Sequence, residues 1–544
     1  MGTRRVRAAI VVAAVTALTL LTTTLARAGG WAGRPTGDFG GNGRCHAGAP
    51  GVGDPYYPLY GNGGYDVKHY LLKVSYNPAT DRLAGVARIS ARATENLCRF
   101  NLDFQGMTVR SVKVDGRRAG WSRSHDHELT VIPQHHLKKG HRFTTVVRYD
   151  GIPRTQQLII TPDFSIEAGF MHTDDGAVIA GEPEVAANWF PVNDHPLDKA
   201  AYTFVVTVPA GLEVVGNGRL VAHRTHGRST TWVWNAPEPM ASYLATATMG
   251  QFNLHRYRTS DGLRMYDALD PDLFTEPVNP DDPTSPTYGK IAQGSLARQG
   301  EILDFLASQF GPYPFSTGGG IVDDYDNLLF ALENQTRTVY SKFFFTDPIS
   351  GDDVVVHENA HQWYGDSVAV AAWKHIWLNE GFATYAEFLW SGHEGLGTPQ
   401  EIFDAIYNDI PADDPFWDVV IGDPGVEHLF DNPVYVRGGM TLQVLRNQVG
   451  DRDFFRILRA WAARKAGGNG TTGQFIALAE RISGQQLDEL FDAWLFTAGK
   501  PTFGVASATA AATAATTAAK AARTPPTAAS LLERMSKGAL YLRR

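Results

Sequence analysis

The chain has 544 residues, 43% of them hydrophobic and 19% charged, a usage that folds but is too long for one ordinary core, so two or three domains are expected. A formal net charge of -8 is a poor match for phosphate backbones and argues against nucleic acid as a partner. Only two cysteines are present, Cys45 and Cys98. They are too few for a four-cysteine zinc site, so a metal is expected on histidine and carboxylate. An oxidising compartment permits a disulfide between them; two separate thiols is the other reading.

In chain order, Arg4, Arg5 and Arg7 precede an uncharged apolar run, 8–25, and Ala26-Arg27-Ala28 forms a small-x-small site. This reads as a signal peptide over 1–28, with a membrane anchor as the alternative, and implies a secreted mature chain. Residues 29–54 are rich in Gly and Pro and read as an irregular leader. Strand patterns follow at 70–76, 86–90, 108–114 (closed by Asp115-Gly116) and 202–208. Beyond about residue 285 the period lengthens. Ile302, Leu303, Phe305, Leu306 and Phe310 share a helix face that ends at Gly311-Pro312, and helical patterns dominate from 353 to 497. Residues 505–544 are mostly Ala and Thr with basic residues, a low-complexity tail with too little apolar content to bury a core.

The chemistry concentrates at His357-Glu358-Asn359-Ala360-His361. Positions four apart share a helix face, so both imidazoles reach one metal, and Glu358 stands where it can act on water held there. Glu380 lies nineteen positions after His361 and supplies a third ligand, leaving the open position of a catalytic site. Glu387, two turns further, is placed to hold a ligand histidine by its other ring nitrogen; a plain surface acid is the alternative. Two imidazoles and one carboxylate without sulfur suit one Zn2+ per chain.

Several segments together resemble the zinc aminopeptidase family typified by aminopeptidase N and leukotriene hydrolase, over roughly residues 60–500. They are His357–Gly365 (HENAHQWYG), Trp377–Ala383 (WLNEGFA), Phe310–Phe315 (FGPYPF), Phe190–Pro196 followed by Lys199-Ala200, and Leu102-Asp103-Phe104. The resemblance implies an α+β multidomain fold: an N-terminal β saddle domain over 55–255, a thermolysin-like, mainly helical zinc catalytic domain over 256–504, and a disordered tail. It further implies that Phe330–Asn334 lies beside the substrate backbone, with Ala331 and Leu332 as contacts. Glu333 and Glu182 then grip a free amino group, and Tyr435 donates to the developing oxyanion. Phe330, Arg437 and Ala180 depart from the family's usual Gly, Lys and Gln, which leads one to expect an altered first-residue preference.

The function expected is a secreted metallo-aminopeptidase acting on peptides with a free N-terminus; the oligomeric state is left open, with a monomer favoured. A zinc endopeptidase of similar active-site design shares the metal helix but has no use for Glu333 and Glu182. A lipid epoxide hydrolase, found in one branch of that family, has nothing in this sequence to single it out. An inactive secreted binding homologue is opposed by the presence of every ligand and the base.

Overall fold

The computed structural model describes residues 45–161 and 164–505. The signal sequence expected over 1–28 and the tail expected over 505–544 lie outside the described residues, apart from Val505. All described residues belong to one compact unit.

The first half is built on strands. Among the described residues, eight form one sheet in the order 219–226, 229–240, 200–209, 65–77, 82–93, 142–151, 108–114 and 117–118. The strand Ala200–Pro209 shows why: Ala200, Tyr202, Phe204, Val206 and Val208 are buried and their neighbours half-buried, the period-2 alternation of a sheet with one face on the core. It pairs in parallel with Tyr65–Asn77; the other long pairings are antiparallel. A second sheet of four strands contains Leu97–Asp103 and Glu128–Ile132. A third, of five, carries Phe164–His172, Ala177–Ala180 and Ala247–Gly250.

The expected boundary at 255 falls inside a strand. Asn253–Arg258 pairs with Arg264–Leu269 in a further sheet, which Gly320–Asp323 and Thr338–Ser341 extend in parallel. Against this sheet lies the helix α1 (Tyr288–Ala297), and α2 (Gln299–Phe310) and α3 (Pro348–Ala360) pack on α1 and on each other. They are followed by α4 (Trp377–His393), α5 (Pro399–Asp409), α6 (Asn432–Val449), α7 (Asp451–Lys465) and α8 (Thr472–Ser483). Cores of the two halves are continuous.

The described part of the leader is not irregular throughout. His46–Ala47 adds a short parallel strand beside Leu97 and Arg99, and Cys45 and Cys98 form a disulfide. From there residues 54–60 run across to the helical half: Asp54 accepts from the Trp373 N–H at 2.8 Å, and the Gly425 N–H donates to the Tyr56 hydroxyl at 2.7 Å.

The disulfide spans a sequence separation of 53; chain entropy alone assigns such a loop about 4 kcal/mol. Replacing both cysteines by serine is expected to lower the unfolding free energy by up to that much, read as a lower denaturant midpoint. An unchanged midpoint would show that the 45–60 segment is held by its other contacts.

Candidate active site

Helix α3 begins where Pro348 occupies the first turn and the Asp347 carboxylate accepts from the N–H groups of Ile349 and Ser350 at 3.0 and 3.1 Å, a cap that satisfies donors the helix leaves open. Val355 and Val356 are fully buried and fix the helix rotation. One turn on, His357 and His361 therefore face the same way, their ring centroids 4.9 Å apart.

Each imidazole has its Nδ1 committed. His357 Nδ1 lies 2.6 Å from Glu387 Oε1 and His361 Nδ1 lies 3.0 Å from the Tyr364 carbonyl. Both partners accept only, so both Nδ1 atoms carry the hydrogen and both Nε2 atoms present lone pairs. Gly365 allows this: its φ of 137° suits glycine, and a Cβ there would stand 3.1 Å from His361 Nδ1.

Glu380 Oε2 lies 3.4 Å from His357 Nε2 and 3.3 Å from His361 Nε2. Its position depends on a close crossing of α4 and α6. A Cβ on Gly381 would come within 2.9 Å of the Gly438 backbone, and one on Gly438 within 2.8 Å of Gly381 Cα. Only glycine at both positions permits this approach. It sets Glu380, next to Gly381, opposite Tyr435, one turn before Gly438.

The two Nε2 atoms and the carboxylate oxygen all lie within 4.8 Å of one another, the donor set of a cation site, in which a bound metal takes the place of the ring protons. Burial opposes charge on His361, yet the fields of Glu380 and Glu333 outweigh it and lift the imidazole to about 9. Glu380, despite burial, is held at about 2 by the two histidines. Nitrogen and oxygen donors in this ratio fit Zn2+ with a position left open.

A second carboxylate group faces the first. Glu333 is buried, and its Oε1 accepts from the Tyr243 hydroxyl at 2.8 Å. Gln362, just past the metal helix, fixes the Glu333 backbone: its amide donates to the Glu333 carbonyl at 3.0 Å and accepts from the Thr336 N–H at 2.8 Å. Glu182 precedes a cis proline, and its buried Oε2 has no hydrogen-bond partner among the described residues. Burial first, and then the negative fields of Glu333, Glu380 and Glu358, push its carboxyl well above the usual range. The four glutamates thus share one enclosure. Leu332 is buried and exchanges both backbone hydrogen bonds with Val339, at 2.8 and 2.9 Å. By the alternation of an antiparallel ladder, the Ala331 N–H and C=O point to the opposite, free edge.

Tyr435 lies with its ring 6.0 Å from that of His357. Burial and the fields of Glu380 and Glu182 keep its hydroxyl protonated, so it is a donor at neutral pH. Arg437 does not face this enclosure. It is fully buried and donates to the carbonyls of Trp494, Trp417, Val419, Ala493 and Thr497. A substitution at this position therefore shapes the backbone and does not select substrate, contrary to the expectation from sequence.

Sequence reasoning assigned no role to four supports of the site. Tyr243 orients Glu333; Trp373 packs edge-on against Tyr243 at 5.5 Å, and Tyr57 against Trp373 at 6.3 Å. Lys199 reaches from the first half to the carbonyls of Asp366 and Ser367, just beyond His361. Only Lys199 lies in a recognisable motif; the aromatic contacts join residues 54–60, 243 and 373, which no local pattern connects.

Residues 66–244 match the peptidase M1 N-terminal domain and residues 295–494 the peptidase family M1 domain. The chain belongs to peptidase family M1. Aminopeptidase M1 of Arabidopsis thaliana is 26% identical over 349 residues, 60% of this chain and 37% of its own length. Aminopeptidase N of Streptomyces lividans is 26% identical over 363 residues, 60% of this chain and 39% of its own length. This M1 chain therefore spans less than two-fifths of those relatives. The crystal structure of an M1 zinc metallopeptidase from Deinococcus radiodurans is similar at a TM-score of 0.72 and 26% identity, covering 83% of this chain and 98% of that one. A mutant of the latter bound to a Tyr-Ser-Ala substrate gives 0.71 and 25%.

Because Glu387 fixes the orientation and basicity of His357, Glu387→Gln is expected to weaken zinc binding about 10–100-fold while leaving the fold intact, as read by competition with a chelator. Unchanged affinity would reduce Glu387 to a surface acid.

Proposed function

We propose that this chain is a secreted zinc aminopeptidase that removes residues from the free N-terminus of peptides. The observation that carries the reading is the pair Glu182 and Glu333: two carboxylates facing the metal ligands, one of them with a buried oxygen that lacks a partner among the described residues. An endopeptidase has no use for such a pair, whereas a substrate ammonium satisfies both through charge-assisted hydrogen bonds.

His357, His361 and Glu380 would hold the zinc. When bound, zinc supplies a Lewis acid that makes water acidic near neutral pH and polarises a carbonyl. Burial pushes Glu358 up to about 8 in the metal-free chain; a dication beside it returns the carboxylate to its charged, proton-accepting form. Glu358 then takes the proton of the attacking water and delivers it to the leaving amine. The Tyr435 hydroxyl donates to the carbonyl oxygen as that atom becomes anionic, a contribution of about 3–4 kcal/mol. The free edge at Ala331 pairs with the extended substrate backbone. Glu182 and Glu333 set the register, so the first peptide bond and no later one meets Glu358.

Export rests on the basic, apolar and small-x-small order of residues 1–28. The Cys45–Cys98 disulfide suits an oxidising compartment. Among the described residues no helix is long and apolar enough to cross a membrane.

Incubated with a linear decapeptide, the zinc-loaded chain is expected to give a ladder of products, each shorter by one N-terminal residue in the mass spectrum. Glu358→Gln is expected to slow this by about 10²–10⁴ with zinc retained. Internal fragments as the first products would replace this reading with an endopeptidase. Full activity in Glu358→Gln would remove the assigned base.

A further inference from the structure

A second group of metal-type donors lies in the first half, apart from the active site. Asp103 ends the strand Leu97–Asp103, Glu128 begins the strand Glu128–Ile132, and the two residues are direct cross-strand partners. Asp103 is 0%, Glu128 1% and His127 8% exposed. One ligand atom from each of the three lies within 4.8 Å of the other two.

The polar groups here are unequally satisfied. Asp103 Oδ2 accepts from the Gly61 N–H at 3.2 Å, the Asn62 amide at 2.9 Å and the Asp194 N–H at 2.8 Å, which favours its charged form. Asp103 Oδ1 and both carboxylate oxygens of Glu128 are buried without a partner among the described residues. His127 Nε2 lies 3.0 Å from the Leu59 carbonyl. A carbonyl accepts only, so Nε2 carries the hydrogen and Nδ1 is left with its lone pair. This is the arrangement that primes His361 through the Tyr364 carbonyl, with the ring nitrogens exchanged. The Tyr60 ring stacks on the imidazole at 4.3 Å and fixes its plane.

Two buried carboxylates this close cannot both stay charged unaided. The charges that act on Asp103 are those of Asp194 and Glu128, which are acids too. A proton shared between Asp103 and Glu128 would satisfy one oxygen of each. It would leave the second Glu128 oxygen without a partner among the described residues. A cation satisfies every one of these oxygens.

We propose that Asp103, His127 and Glu128 form a second metal site, which takes a divalent transition-metal cation through two carboxylates and one imidazole. The mixed oxygen and nitrogen donors suit zinc or manganese better than calcium. The donors are enclosed, so the role is structural. The ion ties the hairpin at 120–132 to residues 59–62, which already bond to Asp103 and His127. It thereby anchors the segment that carries Tyr57 to Trp373. The site is independent of the peptidase reading, since none of its residues touches His357, His361 or Glu380.

The test counts metal in the full chain, produced in zinc-supplemented medium and passed through a weak chelator. Wild type is expected to carry two equivalents of zinc by elemental analysis. A chain with His357→Ala and His361→Ala is expected to keep one, and to show a lower thermal midpoint after a strong chelator. Adding Glu128→Gln to that chain is expected to bring the count to zero and abolish the chelator response. A histidine-replaced chain that holds no metal would overturn the proposal, whatever the folding of Glu128→Gln. So would a Glu128→Gln chain with the same count as wild type; a midpoint raised by Glu128→Gln would identify a shared proton instead.

Discussion

The enclosure between the two halves holds more negative charge than it can keep. Glu182, Glu333, Glu358, Glu380 and Asp366 are gathered around two imidazoles, and each acts on its neighbours' titration. Carboxylates withdrawn from water cannot all remain charged without cations close by. The set therefore splits. Glu380 is held low by the histidines, whereas Glu182, Glu333, Glu358 and Asp366 are driven up, with burial the first cause. Such a split marks groups prepared for different tasks. A dication among the ligands and an ammonium between Glu182 and Glu333 are the two charges that restore balance.

The chain keeps its own buried cations from doing so. Arg337, fully buried, donates to the carbonyls of Gly216, Tyr266, Gly318 and Gly218. Arg437 is satisfied by five carbonyls, and Lys199 by those of Asp366 and Ser367. These side chains brace backbone on three sides of the enclosure and leave its carboxylates unpaired. Arg337 and Lys199 also bond across the two halves, as do Asn217 to the Gln335 carbonyl and Gly218 to Thr336. The Glu333 segment is thus fixed relative to the metal helix before substrate arrives, which is how a register-setting group must be built.

Much of this was legible locally. The strand Thr108–Val114 occurs as the β-branched run and its Asp-Gly turn indicate. The metal helix, Glu380 and the Glu387 contact follow from spacing along α3 and α4. What sequence could not show is where side chains point once elements are packed. Arg437 stands in a motif beside Tyr435, and sequence cannot distinguish a side chain facing substrate from one facing carbonyls in the opposite direction. The strand Asn253–Arg258 has the same texture as its predecessors, so its membership in the sheet that carries Gly320–Asp323 and Thr338–Ser341 was hidden. The route Tyr57–Trp373–Tyr243–Glu333 joins segments far apart in the chain, and the grouping of Asp103 with His127, whose imidazole meets the Leu59 carbonyl, likewise joins segments that no local pattern connects.

The account stands on the enclosure being matched to one added ammonium. Isothermal titration of the zinc-loaded Glu358→Gln chain with a dipeptide amide, and with its N-acetylated form, measures this without turnover. The free amine is expected to bind at least about 100-fold more tightly, a difference of about 2.7 kcal/mol, and Glu333→Gln is expected to remove most of that advantage. Equal affinity for the two ligands would contradict the claim that these buried glutamates are held for a substrate's charge.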